Sequence, residues 1–419
     1  LVTDLRIVTD IRKKVEKFSH SVYPYIQYIR NDNDRPFPML HPPIKFLRSV
    51  GIMVGAIIGV GVFGLPFAFS QVGLAVGLLE LFAMGILLTF LQLMQAEVIV
   101  QTEERHRLAG YVREYLGKGW SRITLITMAA GVWGAMVAYM IVGGKFLFFL
   151  ASPVFGGTEF IYSLILAGIA SALIYRGLAF ASRVEVGIVC VLIFLFIFII
   201  LAGLPNIHPA VYLVSKPENF FLPYGVIFFS LSGIGIVPEM RDVLGQRLQS
   251  RLGQAIILGM TIIVLLYALF AATVFGVTGF STTPIAFDGL IPVLGNTFRF
   301  VASLLGTLTI VSIYFILGIE LMNTLKFDFR IKHKMAWALV VFVPVVIFLF
   351  GAREFIGVIG FVGAVFSGAL GIIIALMYAR LKQSPICRKH ECINFPRVLT
   401  WMLILLFVGG IVYEVVSVM

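Results

Sequence analysis

Charge is scarce in this chain. Asp, Glu, Lys and Arg make up 13% of its 419 residues against 60% apolar ones, and the mean hydropathy is +1.01. That balance excludes a soluble globular domain, in which apolar residues hold about 45–50%. Cysteine is scarcer still: Cys190 lies in an apolar run, and Cys387 and Cys392 lie in a basic loop. Three cysteines make no disulfide framework, so the loop pair reads as two solvated thiols. With His390 between them they form only a weak metal pattern. All six histidines fall outside the apolar runs, which removes a histidine relay and the clustered ligands of a membrane-embedded metalloenzyme. No Gly-Lys-Ser/Thr loop is present to cradle a nucleotide's phosphates, and no repeated filter motif suggests a static pore.

What the chain has in abundance is apolar sequence of bilayer-crossing length, about 20 residues per helix. Eleven such runs are expected, at 49–74, 77–101, 120–150, 159–176, 184–204, 220–244, 252–279, 294–325, 334–351, 355–380 and 398–417. None is a cleavable leader, because a polar, basic stretch precedes the first. The net charge of +11 is distributed by side. With the N-terminus cytoplasmic and the runs alternating, 28 of the 32 Lys and Arg residues fall in inside segments, and only Lys145, Lys216, Arg299 and Arg353 fall outside. The positive-inside rule then predicts a multi-pass protein of the cytoplasmic membrane, N-terminus in and C-terminus out. The basic excess marks topology and the lipid surface, and no nucleic-acid partner is implied.

Residues 1–48 precede the first run. Leu5, Val8, Ile11, Val15, Phe18, Val22 and Ile29 recur every three or four residues between basic ones, the pattern of an amphipathic helix that lies on the inner leaflet or caps the bundle. Asn31 to Pro43 reads as an irregular linker. The chain opens on Leu1, so its natural start is expected upstream.

Two runs carry the same interruption at the same depth. They read Gly59-Val60-Gly61-Val62-Phe63-Gly64-Leu65-Pro66 and Leu231-Ser232-Gly233-Ile234-Gly235-Ile236-Val237-Pro238. Gly lets the backbone leave helical geometry and Pro removes a donor, so both helices should unwind there. Unwound backbone at membrane depth must be buried in protein or line a cavity. A shift of 172 residues superposes the two interruptions, and it also brings runs 120, 159 and 184 onto the starts of later ones. Five runs followed by five more enter the membrane from opposite sides, which describes an inverted repeat. The expected fold is therefore an all-α integral membrane protein with eleven transmembrane helices. It comprises a 5+5 inverted repeat (49–204 and 220–380) with broken helices 1 and 6, and residues 381–419 add a cytoplasmic loop and one C-terminal helix. Half-helix ends offer N–H groups to a carboxylate and carbonyls to an ammonium group, which suits a small zwitterion such as an α-amino acid.

The run from Gly55 to Phe69 resembles the first span of the amino acid/auxin permease family, which includes bacterial aromatic amino acid permeases. Phe228 to Met240 is similar to that family's sixth span, Tyr139 to Leu147 to its third, and Leu317 to Asp328 to the end of its eighth. The resemblance implies a secondary transporter of neutral or aromatic amino acids, and a monomer is expected. In it Gly59, Gly61 and Gly64 would meet the substrate carboxylate, Ser230, Ser232 and Gly233 its ammonium group, and Tyr139 would close the site. It also implies a candidate sodium site from the carbonyls of Gly55 and Ile58 and the hydroxyl of Ser312, with Thr309 standing in where Val311 departs from the pattern. No Lys lies in 184–204 to replace the sodium. Proton coupling would instead draw on an intramembrane carboxylate. Glu239, directly after the second break, is the first choice for coupling or gating. Glu97 and Glu320 lie nearer the cytoplasmic ends, and Glu80 is shallower. No cofactor beyond a coupling Na+ or H+ is expected.

Overall fold

A computed structural model describes residues 42–176, 181–385, 387, 392–393 and 395–418. The amphipathic helix expected within residues 1–41 and His390 both lie outside the described residues. The chain divides between Lys45 and Phe46, and everything below concerns the unit Phe46–Met419, apart from the first turn of the first helix.

That unit is helical, with no strand among the described residues. A segment surrounded by lipid must satisfy its backbone internally, and the long apolar runs do so as helices. In chain order these are α1 (Pro42–Ile57), α2 (Leu65–Val72), α3 (Leu74–Gln101), α4 (Leu108–Leu116), α5 (Lys118–Phe155), α6 (Glu159–Arg176), α7 (Ala181–Gly203), α8 (Tyr224–Leu231), α9 (Val237–Leu244), α10 (Leu252–Thr278), α11 (Ala286–Phe327), α12 (His333–Leu349), α13 (Phe355–Phe361), α14 (Gly368–Gln383) and α15 (Arg397–Val418). Six of the expected spans are each long and apolar enough to cross a bilayer, and the bent pair of Pro42–Ile57 with Val60–Val72 makes a seventh. Three shorter apolar helices and the pair α8–α9 occupy the other four expected runs. The first helix begins at Pro42, inside the stretch read as linker, because proline is tolerated in a first turn, where its missing N–H would have no partner.

Local sequence bends several spans. Gly295, at φ +80, interrupts α11 three residues after Pro292. A π-helical stretch, Val362–Ser367, joins α13 to α14. A Cβ on Gly225 of α8 would meet the Gly360 backbone in α13, and one on Gly363 of the π-helical stretch would meet the Gly225 carbonyl. Small residues permit this backbone contact between spans.

The two interruptions lie where the sequence placed them. After α1, Gly59 is extended (φ −137, ψ −157) and Val60–Gly64 forms a 3-10 turn, with a bend of 51° between the halves. After α8, residues 232–236 leave the helix and α9 starts at Val237. The shift of 172 residues carries Leu65–Val72 onto Val237–Leu244. It also carries Gly73 onto Gly245, both at positive φ as the caps that end these half-helices. An L side chain is strained in that conformation, so glycine marks both stops.

One sequence expectation is overturned. Cys387 and Cys392 are joined by a disulfide, with Cα atoms 5.4 Å apart, in place of the two solvated thiols expected. At that separation the two sulfurs are within bonding reach, and the residues just before α15 are pinned to neighbouring spans. Tyr378 Oη donates to the Ile393 carbonyl (2.7 Å) and accepts from Phe395 N–H (3.1 Å). The Ile393 N–H in turn donates to Glu97 Oε1 (3.2 Å). These contacts hold Ile393 and Phe395, just past Cys392, against α14 and α3.

Candidate functional site

The two breaks are in contact. A Cβ on Gly61 would lie 2.7 Å from Ser230 Oγ and 2.9 Å from Ser230 Cα, so the first break rests directly on the end of α8. From the other side, a Cβ on Gly233 would meet Ile57, the last residue of α1. The lack of a side chain at Gly61 lets the first break meet the α8 backbone, and at Gly233 it makes room for the Ile57 side chain.

Each break leaves helix-end groups without intrahelical partners, and side chains from neighbouring spans take them up. Tyr139 of α5, buried at the first break, accepts a hydrogen bond from Val60 N–H (3.2 Å), and a Cβ on Gly59 would strike its hydroxyl. Tyr267 of α10, fully buried, lies within hydrogen-bonding distance of two carbonyls, Ile57 (3.0 Å) and Ser230 (3.3 Å). Gln95 of α3 donates from Nε2 to the Ile234 carbonyl inside the second break (2.8 Å). Gln92, one turn earlier on α3, sits with its Nε2 beside Gly233. The Oε1 atoms of both glutamines are buried without a hydrogen-bond partner among the described residues.

The other residues singled out by sequence fall as follows. Gly64 faces α13, where a Cβ would meet Ile359 and Ile356. Ser230 Oγ donates to the Val226 carbonyl of its own helix (2.7 Å), and Ser232 is half-buried in extended backbone just past α8. Thr309 Oγ1 is likewise engaged within α11, donating to Leu305 (2.8 Å), and Ser312 is half-buried on the same helix. Gly55 and Ile58 lie in and just after α1, with Ile58 buried. Glu97, buried on α3, accepts from Gln101 Nε2 (2.9 Å) and from Ile393 N–H. Glu239, in the first turn of α9, pairs with Arg107 at 2.9 Å.

Arg107 belongs to a polar cluster that ties α9 to the segment between α3 and α4. Arg105 lies 3.7 Å from Asp242, and buried Arg241 donates to Tyr111 Oη (3.1 Å) and the Thr102 carbonyl (3.0 Å). Asp328, just past α11, has its carboxyl pushed up by burial and drawn back down by the Arg107 charge.

Around the first break the surroundings are aromatic. Phe63 lies 5.5 Å from Phe146 and 5.8 Å from Phe196, and Phe146 lies 4.9 Å from Phe287. Edge-to-face arrangements such as Phe63–Phe146, at 81° between planes, add about 0.5–1.5 kcal/mol per pair beyond their burial. Beyond this cluster, Lys145 of α5 pairs with Asp288 of α11 and lies 3.9 Å from Glu159 of α6.

Sequence reasoning passed over Tyr267, Gln92 and Gln95. The glutamines carried a signal, since two amides spaced i, i+3 in an apolar run demand partners. A tyrosine in a span carries none, because most pack as ordinary aromatics.

Interrupted helices in mutual contact within a many-helix membrane bundle belong to the architecture of membrane transporters. The chain belongs to the tryptophan/tyrosine permease family, whose model matches residues 43–417. The amino acid/auxin permease resemblance is thus met at the level of an amino acid permease family, under another family description. Among solved structures the chain is similar to a manganese transporter of Eremococcus coleocola in complex with an aromatic bis-isothiourea substituted compound. The TM-score is 0.60 at 14% identity, over 87% of this chain and 86% of that one, a likeness of fold alone. No curated protein matches it in sequence.

Proposed function

We propose that the protein carries an aromatic L-amino acid across the cytoplasmic membrane by alternating access, with the substrate held where the two breaks meet. The observation that carries this reading is the seating of Gly61 on Ser230, which juxtaposes the freed backbone groups of both half-helix pairs. Membership of the tryptophan/tyrosine permease family supports an aromatic substrate. So does the ring cluster at Phe63, whose faces and edges suit another ring. The carboxylate would meet the N–H groups at Gly59, Gly61 and Gly64, and the ammonium group the backbone at Ser230, Ser232 and Gly233. The 172-residue correspondence supports reading 49–204 and 220–380 as an inverted repeat, and the distribution of Lys and Arg supports a cytoplasmic N-terminus.

For coupling, the observations favour a proton. Glu97 is engaged by Gln101 and Ile393, and Glu239 by Arg107, which suits gating at that end. Glu80 of α3 is buried, and its Oε1 has no hydrogen-bond partner among the described residues. A lone intramembrane carboxyl is a candidate proton carrier.

The test is uptake of radiolabelled tryptophan or tyrosine into proteoliposomes, with all twenty amino acids as competitors. Accumulation is expected with aromatic competitors strongest, driven by a pH gradient, and Glu80→Gln should make uptake insensitive to that gradient. Failure to accumulate any amino acid would sink the reading. Sodium-driven uptake at clamped pH would move coupling to Gly55, Ile58, Thr309 and Ser312.

A further inference from the structure

The carbonyl-bearing ends of α1 and α8 converge on one phenol. Ile57 is the last residue of α1, and Ser230 is the penultimate residue of α8. Past each of them the helix stops, so neither carbonyl keeps a regular intrahelical donor. The C-terminal end of a helix carries partial negative charge, so two such ends approaching each other repel unless a donor stands between them. Tyr267 Oη stands there, 3.0 Å from one carbonyl and 3.3 Å from the other, and fully buried. A phenol has one hydrogen and therefore cannot donate fully to both oxygens at once. At each instant one carbonyl is better satisfied and the other remains open to a further donor.

We propose that Tyr267 is a positioning residue. Its hydroxyl is the joint that holds the two interrupted helices together, and the carbonyl it leaves under-donated helps the pocket prefer ligands that bring an ammonium group. The first half of the proposal stands on geometry alone, and the second rests on the amino acid reading above. Tyr267 touches helix ends and acts through them.

The test compares the wild-type protein with Tyr267→Phe, which keeps the ring and loses the donor, and with 3-fluorotyrosine at position 267, which keeps the hydroxyl and makes it a stronger donor. Hydrogen exchange is followed on peptides covering residues 55–64 and 228–236. Binding of L-tryptophan and of 3-indolepropionate, which has no ammonium group, is measured on the same samples. In Tyr267→Phe, exchange should rise in both segments together. With the joint lost the two carbonyls no longer stand together at the ligand, so the preference for tryptophan over its deaminated analogue should fall roughly fivefold, about the worth of one hydrogen bond. The fluorinated protein should keep both segments protected and hold the preference at or above the wild-type ratio. Unchanged exchange, or exchange raised in one segment only, overturns the joint. Equal weakening of both ligands overturns the selectivity role and leaves a purely structural tyrosine. If the wild-type protein binds neither ligand, the amino acid reading fails and the selectivity role falls with it, while the exchange data still decide the joint. Should Tyr267→Phe not be recovered folded, the fluorinated protein carries the test, and a lowered preference there counts against the proposal.

Discussion

The first break is surrounded by rings and the second by amides and charges, although glycine and proline open both in the same way. At the first, Tyr139 covers Val60 N–H, and Phe63 reaches into a cluster with Phe146 and Phe196. At the second, Gln95 holds the Ile234 carbonyl, and within one turn the chain runs into the Glu239–Arg107 pair. The backbone flaw is thus generic, and under the proposed function its surroundings would divide the labour. Rings at the first break suit a substrate's apolar end, while the polar cluster beyond the second suits an opening and closing contact. The glycines differ as well. Gly61 has no room for a Cβ, whereas a Cβ on Gly235 would meet nothing within 4 Å.

That contrast can be broken most sharply at Gly61. One methylene too many in a tight site costs about 1–3 kcal/mol, and Gly61→Val adds a branched side chain where Ser230 and Phe229 already stand. Uptake should be lost while the purified protein still elutes as a single species, and normal transport in that variant would undo the site. A smaller effect is expected from Phe63→Leu, which removes the ring facing Phe146 and Phe196. Competition assays should show the preference for aromatic over aliphatic amino acids falling about tenfold, in line with one or two lost ring contacts. An unchanged preference would detach the cluster from substrate choice. The least effect belongs to Gly235→Ala, for which the space is open and the φ is not positive. Uptake within about twofold of wild type is expected, since changes away from tight features stay within about 0.5 kcal/mol. A large loss there would mean that the second break closes tightly during transport.

Most of the helical framework could be read from composition because lipid leaves the backbone few choices. The breaks could be read because Gly and Pro act on their own segment, and the stops at Gly73 and Gly245 follow the same local logic. What escaped reading depends on partners far along the chain. Tyr267 lies 210 residues from Ile57, and nothing near it in sequence distinguishes it from a packing tyrosine. The Cys387–Cys392 bridge escaped because counting cysteines says nothing about how close two of them stand. Glu239 drew attention by position, yet its partner is Arg107 from another segment, and the nearer Arg241 is held by Tyr111 and Thr102.

The last helix is more than an appendage to the two five-span halves. Phe407 of α15 lies 5.1 Å from Phe228 of α8, and the Tyr224 ring fills the space beside Gly410. Glycines 368 and 371 of α14 seat the same helix on Ile411 and Phe407. Under the proposed alternating access, any tilt of α8 would have to slide along α15 or carry it, so this last helix would serve as a rail that limits how far the inner segment swings.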